Sequence, residues 1–381
     1  MPKNMNIEDQ KKIYKFMCNK INDYISKPLT VKILDDILNT YQEEVIINNI
    51  IIHPLENKEN ILNFLKNNIK KNKDLENKIK ILSYGVHGVI LEPAINIINY
   101  SSITLDYNYV SKIIDSKKEK DKYLNREQEI SLILKKIDPL NKNFLYPISC
   151  KKFLSFTNFK IKKGYLIDLY EEKLTEQYLI LFFLNIIKSI KILKNNKILN
   201  LDIKSDNVLL KKNSNNAFNL VMIDFSGELV VKTKKELAEF IENFKFYIHP
   251  YWSFEFNKIL YNEGVNYNPK YNKKRDKLFE KYSEIIEKDI LNSFYDNIYP
   301  NVVYDLQNNI EIFYEKQMVY QVGKTFQYLT ESYFPNSTNN LLIRFNKLLD
   351  TLVNENYNKR PRINEITNMI NVSIKDYKIK F

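Results

Sequence analysis

Asp202 heads the string Asp202-Ile203-Lys204-Ser205-Asp206-Asn207-Val208-Leu209-Leu210, and a second apolar run, Leu220-Val221-Met222-Ile223, ends in Asp224-Phe225. A carboxylate beside an attacking hydroxyl orients it and accepts its proton. A lysine neutralises charge on a transferring phosphoryl group, and an amide with a second carboxylate holds magnesium. Asp202, Lys204, Asn207 and Asp224 supply these groups in usable order, so the pattern points to phosphoryl transfer. A polar loop whose Asp and Asn only cap turns uses the same residue types, but this one has strand-like apolar runs on both sides.

Positioning these groups needs a frame. Val208-Leu209-Leu210 and Leu220 to Ile223, joined by the polar turn around Asn213 to Asn216, predict a hairpin that brings Asn207 near Asp224. A long helix is expected over about Glu176 to Lys194, leading through Ile198-Leu199-Asn200-Leu201 into Asp202. Upstream, Lys80-Ile81-Leu82, Val89-Ile90-Leu91, Tyr109 to Ile114 and Tyr165 to Leu169 read as strands. Arg126 to Ile137 reads as a helix with Ile130, Ile133, Leu134 and Ile137 on one face, stopped by Asp138-Pro139. Beyond Asp224 the pattern is mostly helical. Residues from about 6 to 75 carry apolar positions at helical spacing (Ile13, Phe16, Met17, Ile21 and Ile25, then Ile33, Ile37 and Tyr41), which predicts a helical appendage. The Lys- and Asn-dense run Lys66 to Lys80 suggests a boundary near 75. A small β-rich unit followed by a larger α-rich unit is the outline.

Composition removes several alternatives. The chain has 381 residues, room for two or three core-bearing units. Its formal charge of +12 reflects Lys, Asn and Ile enrichment throughout, without a basic stripe interleaved with stacking aromatics, so nucleic acid is not the expected partner. Cys18 and Cys150 are the only cysteines, and His53, His87 and His249 the only histidines; neither a Cys/His zinc site nor a disulfide framework is expected. Met1-Pro2-Lys3-Asn4 runs into charged, helix-like sequence with no apolar signal core, so secretion is not expected. The most hydrophobic stretch, Tyr178 to Ile187, is broken by Asn185 and followed by Lys188, well short of the roughly 18 apolar residues of a membrane span.

The Asp202 to Asn207 loop with Asp224-Phe225 resembles the catalytic loop and metal-binding motif of the eukaryotic-type protein kinase family. Ser83-Tyr84-Gly85-Val86-His87-Gly88-Val89-Ile90 is similar to that family's glycine-rich nucleotide loop with its first glycine replaced by Ser83, although two glycines between strands also make an ordinary hairpin turn. The resemblance implies that Gly85 and Gly88 let the backbone approach phosphates, and that Leu82, Ile90 and Val110 line the nucleotide site. It also implies that Lys112 contacts the α and β phosphates and is ion-paired with Glu129. Glu127 is the competing partner, and the helix phase, read through Ile133, favours Glu129. Leu166-Ile167-Asp168-Leu169-Tyr170 resembles the hinge, implying adenine contacts from the backbone near Leu169 and Tyr170. Pro250-Tyr251-Trp252-Ser253-Phe254-Glu255 and Asn358-Lys359-Arg360-Pro361 resemble the end of the activation segment and the late arginine motif, implying a buried Glu255–Arg360 ion pair.

The chain also departs from the family pattern. Asn200 and Leu201 replace the usual His and Arg, so no arginine is present there to receive an activation-loop phosphate; Ser226 replaces the glycine after Asp224-Phe225. On Gln317-Met318-Val319-Tyr320-Gln321-Val322-Gly323, similar to the family's central large-lobe helix, Met318 takes the place of the aspartate that anchors the catalytic loop. Taken together, the resemblance implies an α+β, two-lobed kinase-like fold: a helical N-terminal extension over 1–75, an N-lobe over 76–168 and a C-lobe over 169–381, with an inserted helical segment at about 257–316. The insertion and the composition are similar to those of the divergent kinases of large DNA viruses. The implied activity is ATP- and magnesium-dependent phosphorylation of protein Ser or Thr hydroxyls, in an intracellular, soluble protein of host cytoplasm or virion. The competing readings are a pseudokinase scaffold and a small-molecule phosphotransferase on the same fold.

Overall fold

The computed structural model describes residues 25–42, 45–47, 50–52, 59–84, 88–99, 102–115, 121–153, 156–165, 167, 174–212, 217–225, 230–233, 235–237, 251–253, 255–257 and 299–373. Two compact units make up the chain, Met1–Ser131 with Tyr146–Lys163, and Leu132–Leu145 with Gly164–Phe381.

Among the described residues, the first unit begins with helix α1 (Val31–Gln42), a short antiparallel pair, β1 (Val45–Ile47) and β2 (Ile50–Ile52), and helix α2 (Glu59–Lys71). Then come β3 (Lys80–Tyr84), β4 (Gly88–Glu92), the hairpin β5 (Ala94–Asn99) and β6 (Ser102–Asp106), β7 (Tyr109–Asp115), helix α3 (Asp121–Ile137), β8 (Pro147–Phe153) and β9 (Phe156–Lys162). Five strands form an antiparallel sheet in the order β3-β4-β7-β9-β8. Alternation along a strand sends successive side chains to opposite faces. Ile81, Val89, Leu91, Ile113 and Phe156 share one core with Leu34, Ile37 and Leu38 of α1 and Ile61, Leu62, Leu65 and Ile69 of α2. On the other face, Ile114 and Phe159 pack with Leu124 of α3.

Each aliphatic side chain buried in this way contributes roughly 1.5–3 kcal/mol. The described part of the N-terminal segment is therefore integral to the sheet's stability, and the boundary expected near residue 75 falls inside the unit. That segment is also not purely helical, since β1 and β2 interrupt it. α3 begins at Asp121, five residues before the expected Arg126.

The second unit is mostly helical. α4 (Glu176–Asn195) matches its expected span and starts on Thr175, whose hydroxyl accepts from the Tyr178 N–H at 3.3 Å. The strands β10 (Leu199–Asn200), β11 (Val208–Lys212), β12 (Phe218–Met222) and β13 (Val230–Val231) follow; β10 pairs with β13 and β11 with β12, both antiparallel. Among the described residues, helices α5 (Tyr299–Asn308), α6 (Ile310–Tyr333), α7 (Asn340–Leu352) and α8 (Ile363–Ser373) follow. α6 packs against α4, α5 and α7, and the Phe183 ring meets Phe326 and Phe345 edge-on at 5.1 and 5.2 Å. The strand expected over Tyr165 to Leu169 is present only as a bridge from Tyr165 to Leu210 among the described residues. Most of the expected insertion at 257–316 lies outside them; its described end is α5 and the start of α6.

The whole is a mixed α+β structure, with the antiparallel sheet in the N-terminal half and helices dominating the C-terminal half. Among the described residues no helix is long and apolar enough to cross a membrane.

Candidate functional site

In the second unit the loop after α4 is aimed by a Schellman end. Lys197 adopts φ 57°, its N–H donates to the Lys194 carbonyl at 2.9 Å, and the Ile198 N–H donates to the Leu193 carbonyl at 3.0 Å. Ile198 and Leu193 are fully buried, so the reversal is fixed by packing as well as by hydrogen bonds. The chain enters β10 and reaches Asp202 two residues later.

Asp202 is buried and sits at the centre of a short network. Lys204 Nζ donates to its two carboxylate oxygens at 2.8 and 3.1 Å. Asn207 Nδ2 donates to the Asp202 carbonyl at 2.8 Å and to Oδ2 at 2.6 Å. Asn207 is held in turn by a 3₁₀ turn, Ser205–Asn207, and its carbonyl accepts from the Ile223 N–H at 2.9 Å. The β11–β12 register, Val208 opposite Met222, makes that bond possible and brings Asp224 beside the loop, as the hairpin reading expected. Asp224 has φ 56°, in the left-handed region that Asp tolerates better than most residues but at a cost of order 1 kcal/mol or more. After it, Phe225 is buried edge-on against Phe144 at 5.6 Å.

The charges reflect this crowding. Burial pushes the Asp202 carboxyl above its ordinary value; Lys204 and Asn207 oppose the shift, and the nearby Asp224 charge adds to it. Burial alone would pull the Lys204 ammonium down, but Asp202 together with the charges of Asp206 and Asp224 outweighs it and the net shift is upward. The Tyr251 phenol, hydrogen-bonded to Ser205, is raised by burial.

The loop is anchored from behind by α6. Gln321 Oε1 accepts from the Ile203 N–H at 3.1 Å, and Gln321 Nε2 donates to the Asn200 carbonyl at 3.1 Å. Thr325 Oγ1 donates to the Ile203 carbonyl at 3.3 Å, Trp252 Nε1 to the Leu201 carbonyl at 2.7 Å, and the Asn200 side chain accepts from the Asp202 N–H at 2.8 Å. Met318, which stands where the resemblance implies an anchoring aspartate, is buried. Gln321, three residues further on, was not singled out from sequence. Its signal is there: Gln317, Gln321 and Thr325 form a polar ladder at four-residue spacing inside a largely apolar helix. Gln317 ties down the neighbouring segment, accepting from Ser253 Oγ at 2.7 Å and donating to Glu255 at 2.8 Å.

The expected Glu255–Arg360 pair forms at 2.7 Å with both side chains fully buried. Arg360 also donates to the Lys316 and Asn354 carbonyls at 3.2 and 3.0 Å, and its guanidinium lies over the Tyr320 ring at 4.8 Å.

In the first unit Lys112 Nζ meets Glu127 at 3.0 and 3.3 Å. Glu129, the favoured partner from sequence, is corrected to Glu127. Leu124, Glu127, Ile130 and Leu134 form the buried stripe of α3, whereas Glu129 lies on the exposed side. The phase was set by Ile133, which is only half-buried, because a glutamate inside an apolar stripe carries no hydrophobic signal.

Ile90 is the direct cross-strand neighbour of Lys112, and Val110 lies two residues along on the same face. Leu82 is the extra residue of a bulge between the Ile81–Leu91 and Ser83–Ile90 pairs. Gly88 has a packing reason of its own, since a Cβ there would come within 2.2 Å of the Ile113 carbonyl oxygen of β7. Gly85, Leu169 and Tyr170 lie outside the described residues.

The donor set suits a hard cation. Asn207 donates through Nδ2, which leaves Oδ1 as an acceptor, and the Asp224 carboxylate follows Ile223. Among the described residues no three His, Cys, Asp or Glu side chains converge as a metal cage. Magnesium does not need one, because it is commonly held by one or two carboxylates together with phosphate and water. No protein-family model matches the chain, and no curated protein matches it.

Proposed function

We propose that the chain is an ATP- and magnesium-dependent protein kinase that phosphorylates Ser or Thr hydroxyls, built on a two-lobed kinase-like fold. The observation that carries this reading is the Asp202 network: one buried carboxylate bonded to a lysine and an amide within five residues, with a second acid in left-handed conformation beside it.

Asp202 orients the attacking hydroxyl and takes its proton. Lys204, which holds Asp202 at 2.8 Å, would supply the cation that neutralises charge developing on the γ-phosphoryl oxygens. Asn207 and Asp224 would hold magnesium, which when bound would neutralise phosphate charge. In the first unit, Lys112, paired with Glu127, would contact the α and β phosphates, and Ile90 and Val110 on the same strand face, with Leu82, would supply apolar lining for adenine. The sheet order β3-β4-β7-β9-β8, with the lysine on its central strand and the glutamate on the following helix, supports the same reading.

The test is transfer from γ-labelled ATP, with magnesium, onto a generic acceptor protein, with phosphoamino-acid analysis of the product. Phosphoserine or phosphothreonine that disappears in Lys112→Met and Asp224→Asn variants is the expected result. Magnesium-dependent ATP binding without transfer would turn the reading to a scaffold, and transfer only to small hydroxyl compounds would turn it to a small-molecule phosphotransferase.

A further inference from the structure

We infer that Gln321 is the positioning residue of the phosphoryl-transfer loop, clamping the backbone on both sides of Asp202 through its one side-chain amide. The inference rests on the function proposed above but adds a residue that the chemistry alone does not call for.

Gln321 is 1% exposed on α6 and bonds to nothing in the loop except main chain: it accepts from the Ile203 N–H and donates to the Asn200 carbonyl, both at 3.1 Å. These two residues bracket Leu201 and Asp202, so the amide fixes the loop backbone where it presents the carboxylate. The orientation of the amide is settled by its partners, because an N–H must face the oxygen and a carbonyl must face the NH₂. Only a side chain with an acceptor and a donor in one plane serves both. A carboxylate could accept from Ile203 but would set an oxygen against the Asn200 carbonyl, and it would place a negative charge behind Asp202. Methionine fits the volume and serves neither. Thr325, one turn later, is coupled to the same clamp, its one hydroxyl hydrogen shared between the Gln321 carbonyl at 2.8 Å and the Ile203 carbonyl at 3.3 Å.

The clamp sets position rather than ligand affinity. A displaced Asp202 slows transfer while leaving the nucleotide contacts of Lys112, on another element, untouched. Misplacement by about 1 Å costs about 100-fold in rate, so removing the clamp is expected to lower kcat by about 10- to 100-fold with KM for ATP within about two-fold.

The experiment uses full-length protein as wild type, Gln321→Met, Gln321→Glu and Asp202→Asn. Transfer kinetics are measured with KM and kcat separated, alongside amide hydrogen exchange of the 200–207 segment. Expected are a kcat-selective loss in Gln321→Met and in Gln321→Glu, and faster exchange confined to 200–207 in both. A Gln321→Met enzyme with wild-type kcat, or variants whose 200–207 exchange is unchanged, would overturn the clamp. Should Gln321→Met not fold, Gln321→Glu decides by the same two readouts. A wild type whose transfer is absent or equal to Asp202→Asn counts against the kinase reading instead, and the exchange comparison then judges the clamp by itself.

Discussion

Lys112–Glu127 and Arg360–Glu255 are both buried cation–glutamate pairs, yet they differ in how fully they are enclosed. The Arg360–Glu255 side chains are 0% exposed, and the guanidinium is enclosed by two main-chain carbonyls and a tyrosine ring. The Lys112 side chain is 11% exposed, on a strand face shared with Ile90 and Val110. A pair enclosed on every side can only hold the fold together; a pair whose lysine keeps some exposure beside apolar neighbours can still serve a ligand. The same contrast recurs on the Asp202 loop, where one set of residues forms the proposed phosphoryl-transfer network and another, led by Gln321, holds the backbone.

The largest effect should come from breaking the enclosed pair. Glu255→Ala leaves Arg360 buried and charged, and is expected to destabilise the protein by about 3–5 kcal/mol in denaturant unfolding. A loss near zero would mean that the pair is not the rivet it resembles. In pH terms, Arg360 holds the Glu255 carboxyl below its ordinary value against the opposing effect of burial. A lowered folded-state value stabilises the fold above the ordinary glutamate range, and that stability is lost as pH falls through the folded value. Acid unfolding of the wild type should show this loss, and Glu255→Ala should lack it.

Next comes the lysine pair. Lys112→Met is expected to reduce transfer about 10²- to 10³-fold, the range for removing one preorganised cationic or hydrogen-bond donor from a transition state. Glu127→Gln should cost about tenfold or more, since a hydrogen bond to a charged group is worth roughly 1.5–3 kcal/mol. Glu129→Gln, on the exposed side of α3, should change stability by no more than about 0.5 kcal/mol and leave transfer near wild type. The reverse ranking of the two glutamate variants would show that the pairing seen here is not the working one.

A smaller effect is expected in the pH profile. Asp202 must be ionised to accept a proton, and its carboxyl is raised by burial. Activity should therefore fall on the acid side at a pH above the ordinary aspartate value, and Lys204→Met, which removes the opposing charge, should move that limb higher still.

Much of this arrangement was legible in the chain. The hairpin that joins Asn207 to Asp224, the helix over Glu176–Asn195 and the Glu255–Arg360 pair were all readable, because turn chemistry, apolar periodicity and motif order agree there. What stayed hidden has one physical cause. Glu127, Gln317 and Gln321 are polar groups buried by partners distant in sequence, and hydrophobic pattern reads such residues as surface. The same limit put a boundary at residue 75, where the Lys- and Asn-rich face of α2 conceals the aliphatic stripe beneath the sheet.

The most direct measurement of the central claim is the rate of labelled phosphate transfer at saturating ATP and magnesium for wild type against Asp202→Asn, a near-isosteric replacement that removes the charged base and turns one of its two acceptor oxygens into a donor. The account predicts a fall of about 10²- to 10⁴-fold in kcat with ATP binding retained. Equal rates in the two proteins would contradict it.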